Sequence, residues 1–214
     1  MSILIVSVVT HQPWATREKY DRADSATRAT LVAAAQRTFE NLGYARTTID
    51  RITEEAGVSR ATFYVYFASK QEVFGVVAQQ VRDRMVAAQD LGDIDVDDIR
   101  AVAAATNAAY LDAYTENLAF LTVLEHQSLV DPEMEALWEQ FHTRSRERTA
   151  RYVRHQMERG AADPAASPDA IARAGGGMVA NFAPLVRNEP GLREEAIADL
   201  TAMFLRLIGA DDPT

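Results

Sequence analysis

Between Trp14 and Asp131 the chain contains no proline, and glycine is sparse over the same stretch. Proline removes a backbone donor and breaks helices, so this long interval places no obstacle before helix following helix. Apolar residues there recur at helical spacing. Leu31, Ala35, Phe39 and Leu42 share one face of a predicted helix over residues 25–42, which Gly43 ends. Short helices are predicted over 48–56 and from Arg60 to about Phe67, separated by Gly57-Val58-Ser59. Ser69 opens a longer helix, with Glu72 placed for a capping box and a stripe of Val73, Val77, Val81, Met85 and Ala88. The acidic run from Gly92 to Asp98 breaks the pattern. Further helices are predicted over 96–115, 117–129, 132–159, 167–187 and 192–208, with Pro132, Gly160, Pro168 and Pro190 as punctuation. No strand-like alternation and no repeat of 20–50 residues is visible. The expected fold is all-α, with about nine helices.

The composition removes several function classes. There is no Cys, hence no disulfide framework, no Cys-ligated zinc and no thiol nucleophile. His11, His126, His142 and His155 are scattered, without the paired spacing of a helical zinc protease. Glu125-His126 alone is no catalytic constellation. No enzymatic activity, metal or cofactor is therefore expected. No apolar run approaches the roughly 20 residues needed to span a bilayer. The first residues, Met1 to Thr10, are apolar, but they lack a basic start and a small-x-small cleavage site. Residues 1–24 are read as a disordered or loosely docked extension, and the protein is expected to be cytoplasmic.

The net charge is −9. Residues 1–91 hold 11 Lys and Arg against 10 Asp and Glu, and residues 92–214 hold 11 against 21, so the split is +1 and −10. The first part is the one able to meet a polyanion, and the second faces water or a partner.

The most informative segment runs from Thr47 to Lys70. Its layout is helix, three-residue turn with glycine, helix, which is the layout of a helix-turn-helix. Ile49, Ile52, Ala56, Val58, Phe63 and Phe67 are spaced to close a small core against Phe39 and Leu42, and Ser59 can cap the second helix. The residues left for solvent are Arg60, Ala61, Thr62, Tyr64, Tyr66 and Lys70, donors and small groups suited to a helix entering a major groove.

The combination Thr47-Thr48-Ile49 with Ile52, Ala56-Gly57-Val58-Ser59, and Thr62-Phe63-Tyr64 with Tyr66-Phe67 and Ser69-Lys70 resembles the DNA-binding domain of the tetracycline-repressor (TetR/AcrR) family. The resemblance covers about residues 27–75; Thr53 departs from it, where the family usually has Ala. It implies a homodimeric, ligand-responsive transcription regulator, usually a repressor, that binds near-palindromic double-stranded DNA. It also implies roles. Thr47 and Thr48 would hold a phosphate at a helix start, with Tyr64, Tyr66 and Lys70 as further phosphate contacts. Arg60, Ala61 and Thr62 would face the bases, with Arg60 suited to guanine and Ala61 or Thr62 to a thymine methyl, and Ser59 belongs to the same DNA-binding set.

The remainder reads as a helical ligand-binding and dimerisation domain over residues 93–214, joined by a connecting helix at 71–92 to the helix-turn-helix domain at 25–70. Thr106, Asn107, Tyr110 and Tyr114 share a face, as do Trp138, Phe141, His142, Ser145 and Thr149; Met178, Val179 and Phe182 make a third wall. Aromatics with a few polar groups suit a small hydrophobic ligand. An ordinary bundle core would show the same aromatics, but an amide such as Asn107 on an apolar face calls for a partner. The run from Glu135 to Phe141, followed by Glu158 to Ala162, resembles the ethionamide-resistance repressor subgroup, whose channel takes elongated apolar ligands. Gly175-Gly176-Gly177 departs from it. Three helical glycines cost about 1 kcal/mol each relative to Ala, and they serve a wider channel, a kink or close helix packing. The apolar stripes over residues 168–208, including Leu200 and Phe204, are read as the dimer interface. The competing readings are a small helical enzyme and an interaction module whose helix-turn-helix no longer binds DNA.

Overall fold

The computed structural model describes residues 25–88 and 94–210. The extension predicted over residues 1–24, and the start of the acidic break, lie outside the described residues. The described residues form eight α-helices and one 3-10 turn, with no strand. They are α1 (Ser25–Arg46), α2 (Ile49–Ala56), α3 (Arg60–Tyr66), α4 (Lys70–Ala88), α5 (Ile99–Ser128), α6 (Pro132–Glu158), α7 (Pro168–Asn188), the 3-10 turn Pro190–Leu192, and α8 (Arg193–Leu207).

Short helices are marginal on their own, and the first unit compensates at four of its helix ends. The Thr48 hydroxyl accepts from the Arg51 amide at 3.3 Å to cap α2. Gly57 takes the left-handed conformation (φ 67°) that stops it, and the Val58 amide returns to the Thr53 carbonyl at 3.0 Å. The Ser59 hydroxyl caps α3 by accepting from the Thr62 amide at 3.1 Å. At the start of α4 the Glu72 amide donates to Ser69 at 3.1 Å while its carboxylate accepts from the Ala68 amide at 2.6 Å. Gly43 does not end α1 as the sequence suggests. It inserts a kink (φ 74°, ψ 167°), and a last turn continues to Arg46.

The larger correction concerns α5. The sequence reading expects two helices, 96–115 and 117–129, but the structure has one helix of 30 residues. No Gly or Pro interrupts it. Asn117 is buried and helical because its amide donates to the Ala113 carbonyl at 2.8 Å and accepts from Arg84 of α4 at 3.4 Å. A tertiary partner overrides weak local propensity.

One core runs through both parts of the chain. Leu31, Phe39, Ile52, Phe63, Phe67 and Phe74 fill the first unit and continue into Phe120, Leu121 and Leu124. Phe39 meets Phe74 edge-on with centroids 4.8 Å apart, and Phe74 meets Phe120 at 5.1 Å. At the far end α8 closes a second cluster of Val153, Ile171, Leu205 and Ile208. There Gly209 (φ 65°) lies so close to the Asp163 carbonyl that no side chain fits. Helices α5, α6, α7 and α8 pack as the larger bundle, and α4 spans from the small unit to it.

Candidate nucleic-acid interface and ligand cavity

Helices α2 and α3 present Thr48, Ser59, Arg60, Ala61 and Tyr64 to solvent, with Thr62 half-buried. Tyr64 is 49% exposed although its neighbour Phe63 is fully buried, so the ring lies on the outer surface. Val65, 41% exposed, adds an apolar spot one turn after Ala61; the sequence pattern passed over it. The Arg60 guanidinium is exposed and bonds the Asp50 carboxylate at 2.8 Å and the Tyr64 hydroxyl at 3.3 Å. These contacts raise its pKa, Tyr64 foremost. Arg60 thereby neutralises the one acid in the first turn of α2, where unpaired amides otherwise suit a phosphate. Solvent screens an exposed pair of this kind, so a base or phosphate can take the guanidinium over.

Three residues expected on this face are turned elsewhere. Tyr66 is only 7% exposed and belongs to the core. It lies two residues beyond Tyr64, on the opposite side of the helix. Thr47 is buried, its hydroxyl donating to the Gly43 carbonyl at 2.8 Å and the Thr38 carbonyl at 3.2 Å, so it ties off α1. Lys70 is half-buried. Its ammonium donates to the Tyr44 carbonyl at 2.8 Å and the Thr47 carbonyl at 3.0 Å and sits 4.2 Å from the Tyr44 ring centroid. Burial lowers its pKa. In this arrangement Lys70 clamps the end of α1 and the approach to α2, with one ammonium proton left over.

The larger bundle holds a partly open cavity of about 770 Å³ between α5, α6 and α7, with Val96 and Phe204 adding to its lining. Of the residues expected to line it, Asn107, Tyr110, Tyr114, Trp138, His142, Ser145, Thr149 and Val179 do so, together with Thr106. Phe141, Met178 and Phe182 do not. Phe141 is buried in the main core, where its neighbour His142 turns to the cavity instead. Met178 and Phe182 sit on the half-buried flank of α7, whose cavity side is made by Gly176, Val179, Ala180 and Pro184. Missed by the sequence reading were Arg146 and Tyr152, while Gly175–Gly177, for which a wider channel is one of three expected roles, form part of the wall. Tyr152 was within reach, because the spacing Trp138, His142, Ser145, Thr149 continues to it.

The glycines have a spatial reason. A Cβ on Gly176 or Gly177 would meet nothing within 4 Å, and one on Gly175 would only touch Phe204 at 3.8 Å. Close helix packing is therefore not their role; their missing side chains leave room in the cavity. Pro184 adds to this by removing the amide that would bond the Ala180 carbonyl.

The polar groups of the cavity are desolvated. Burial pushes the Tyr110 phenol up to about 12 and raises Tyr114 further. Burial, then the nearby Arg146 charge, lowers His142 to about 4, so it is a neutral ring near pH 7. The Asn107 amide makes one long bond, to Thr201 at 3.4 Å. At the Val96 end, Tyr152 and Gln156 both donate to the Val96 carbonyl, at 3.3 and 3.0 Å. Among the described residues no helix is long and apolar enough to cross a membrane.

Comparison with known proteins agrees with this architecture. Residues 31–77 match the profile of bacterial regulatory proteins of the tetR family. The HTH-type transcriptional regulator RutR of Escherichia coli (strain K12) is 36% identical over 72 residues, covering 34% of each chain. The match thus spans about a third of that relative's length. The HTH-type transcriptional regulator EthR of Mycolicibacterium smegmatis is 26% identical over 190 residues, 84% of this chain and 85% of that one. Among solved structures, a bacterial regulatory protein of the tetR family from Rhodococcus RHA1 superposes with a TM-score of 0.72 at 21% identity, covering 88% of this chain and all of its own. With a capped helix-turn-helix at one end that matches the tetR-family profile and a helical bundle of the same architecture behind it, the chain is similar to bacterial regulatory proteins of the tetR family and shares their fold.

Proposed function

We propose that the protein is a ligand-responsive transcriptional regulator. Two copies hold a near-palindromic DNA site through α2 and α3, and a small hydrophobic molecule in the cavity releases them, so that the protein acts as a repressor. The observation that carries this reading is physical continuity between the cavity and the DNA-facing unit. Helix α6 supplies the cavity wall from Trp138 to Tyr152, and its first turn reaches the start of α4, where Gln71 donates to Glu133. Helix α4 in turn carries Phe74 between Phe39 and Phe120. A molecule that moves α6 against α5 therefore shifts the seat of α4, and with it the separation of two recognition helices that must sit about 34–36 Å apart. The ligand has to favour the DNA-incompetent spacing, and a coupling of about 1–3 kcal/mol is ordinary.

On the DNA side, Thr48 and Tyr64 contact phosphates, Arg60 takes a guanine after leaving Asp50, and Ala61 with Val65 meets thymine methyl groups. The dimer surface is the flank of α7 that carries Met178, Phe182 and Leu185, the last 44% exposed. This replaces part of the surface expected from the sequence. Leu200 and Phe204 are buried within their own chain, so charges placed there would disrupt the fold rather than the dimer.

The test is footprinting on the DNA upstream of the protein's own gene, with and without ligands found by thermal-shift screening. Protection of two half-sites about one helical turn apart, lost on adding ligand, is expected. Uniform weak binding to all DNA, or a ligand affinity unchanged by operator, rules the reading out. Phe182→Glu with Leu185→Glu should yield folded monomers by light scattering that no longer protect the site.

A further inference from the structure

The second part of the chain carries an excess of ten negative charges, yet the cavity wall holds three arginines, Arg146, Arg148 and Arg173, against a single acid, Glu125. Arg146 is the most informative of these. Its side chain is 22% exposed, and its bonds to Glu139 (2.6 Å) and Thr143 (3.5 Å) both leave from Nη2. Among the described residues no bond from its Nε or Nη1 accompanies them, and those donors remain for another acceptor. Glu139 itself is a surface group, and the Arg173 charge also acts on it, so the acid is shared between two cations.

Arg146 also faces groups of the neighbouring wall. Its charge is felt at Tyr110 and at His142, both of which line the cavity. Tyr110 is only 7% exposed and Tyr114 only 4%; both line the cavity, neither oxygen is among the fully sealed unpartnered atoms, and no hydrogen bond to either hydroxyl is seen among the described residues. A buried phenol facing a cavity without a partner marks where a ligand acceptor belongs. The rest of the wall is long and mostly apolar. Lining positions run along α5 from Val102 to Glu125, about 35 Å of helix at a rise of 1.5 Å per residue.

Resting on the sensor reading above, we infer that the ligand of this cavity is an elongated amphipathic acid. Its carboxylate is held by the Nε and Nη1 donors of Arg146 and by the Tyr110 hydroxyl, and its apolar body lies along Tyr114, Trp138 and the Gly176 wall. The planar guanidinium suits a carboxylate in a bidentate arrangement. A neutral hydrophobic molecule would leave the same donors unsatisfied in a desolvated site. Glu125 lies about 22 Å of helix beyond Tyr110 on the α5 wall, and its charge acts on Tyr114, so it does not compete for the head group.

The experiment is calorimetric titration of the full chain with straight-chain carboxylic acids of eight to twelve carbons, below their micelle concentrations, and with their methyl esters. The acid is expected to bind at least about tenfold tighter than its ester. In Arg146→Met the ratio should collapse towards one, and in Arg146→Lys it should partly return. Tyr110→Phe should narrow it to a smaller extent, and circular dichroism melts establish that each variant is folded. Equal affinity of acid and ester for the natural protein overturns the inference and leaves the sensor reading standing, since a hydrophobic chain still binds. A ratio that survives Arg146→Met also overturns it. Binding by no member of either series overturns both readings together.

Discussion

The two ends of this molecule solve opposite packing problems with the same secondary structure. The DNA-facing unit is built from helices as short as seven and eight residues around Phe39, Phe63, Phe67 and Phe74, all essentially inaccessible to solvent. The larger bundle uses helices of up to 30 residues and leaves about 770 Å³ unfilled between them. Short helices need every cap and every aromatic contact to persist. Long helices retain many contacts elsewhere along their length and can tolerate a void. The difference suits one end to the part of reader and the other to that of a container in the gated regulator proposed above.

The contrast can be broken most sharply by emptying the reader. Phe63→Ala should cost about 3–5 kcal/mol of stability in urea unfolding, because nothing around it can collapse into the gap. A loss below about 1 kcal/mol would mean that the small unit tolerates voids as the bundle does. Next in size is a pH effect at the container. The His142 pKa is lowered from 6.5 to about 4, chiefly by burial and then by Arg146. Its contribution is therefore complete above pH 6.5 and is lost as pH falls towards 4, by up to about 3 kcal/mol. Urea unfolding at pH 7 and at pH 4.5 should reveal this, and His142→Gln should flatten it; an unchanged slope would mean that the ring is solvated. A third test probes the reader's surface without touching its core. Arg60→Ala should relax specificity at one position per half-site by about 1–3 kcal/mol while leaving the melting temperature nearly unchanged. Parallel loss across all operator variants would reduce Arg60 to a backbone contact. The smallest effect has the opposite sign. Gly176→Ala adds a methyl group that meets nothing, so it should stabilise α7 by up to about 1 kcal/mol. Destabilisation would mean that the wall there is packed rather than open.

The same contrast governs what could be read from the sequence. The reader's helices, turn and caps were legible because Gly57, Ser59 and the aromatic spacing each admit few alternatives. What misled was the direction of side chains near helix ends: Thr47, Tyr66 and Lys70 have the right chemistry for phosphate, but burial and backbone carbonyls claim them. In the bundle, Asn107, Tyr110 and Trp138 were found by periodicity. Phe141, Met178 and Phe182 were misassigned because adjacent faces of one helix differ by only about 100° per residue, and sequence does not say which face meets a void. Arg146 was invisible because a charge on a helix reads as solvated until its neighbours are known. The expected break in α5 failed for the same reason, since the partner that keeps Asn117 helical is Arg84, 33 residues away.

The unbroken line of rings from Phe39 through Phe74 to Phe120 also bears on how the protein comes apart. With one core shared between reader and container, the two halves are expected to unfold together, and a single melting transition replaces the two that separate domains would show. A molecule at a hundred times its dissociation constant in the cavity would raise the cost of that global opening by about 2.7 kcal/mol. Amide hydrogens in α2 that exchange only through global unfolding, such as that of the buried Ile52, would then exchange about a hundredfold more slowly, although the molecule touches no atom of that helix.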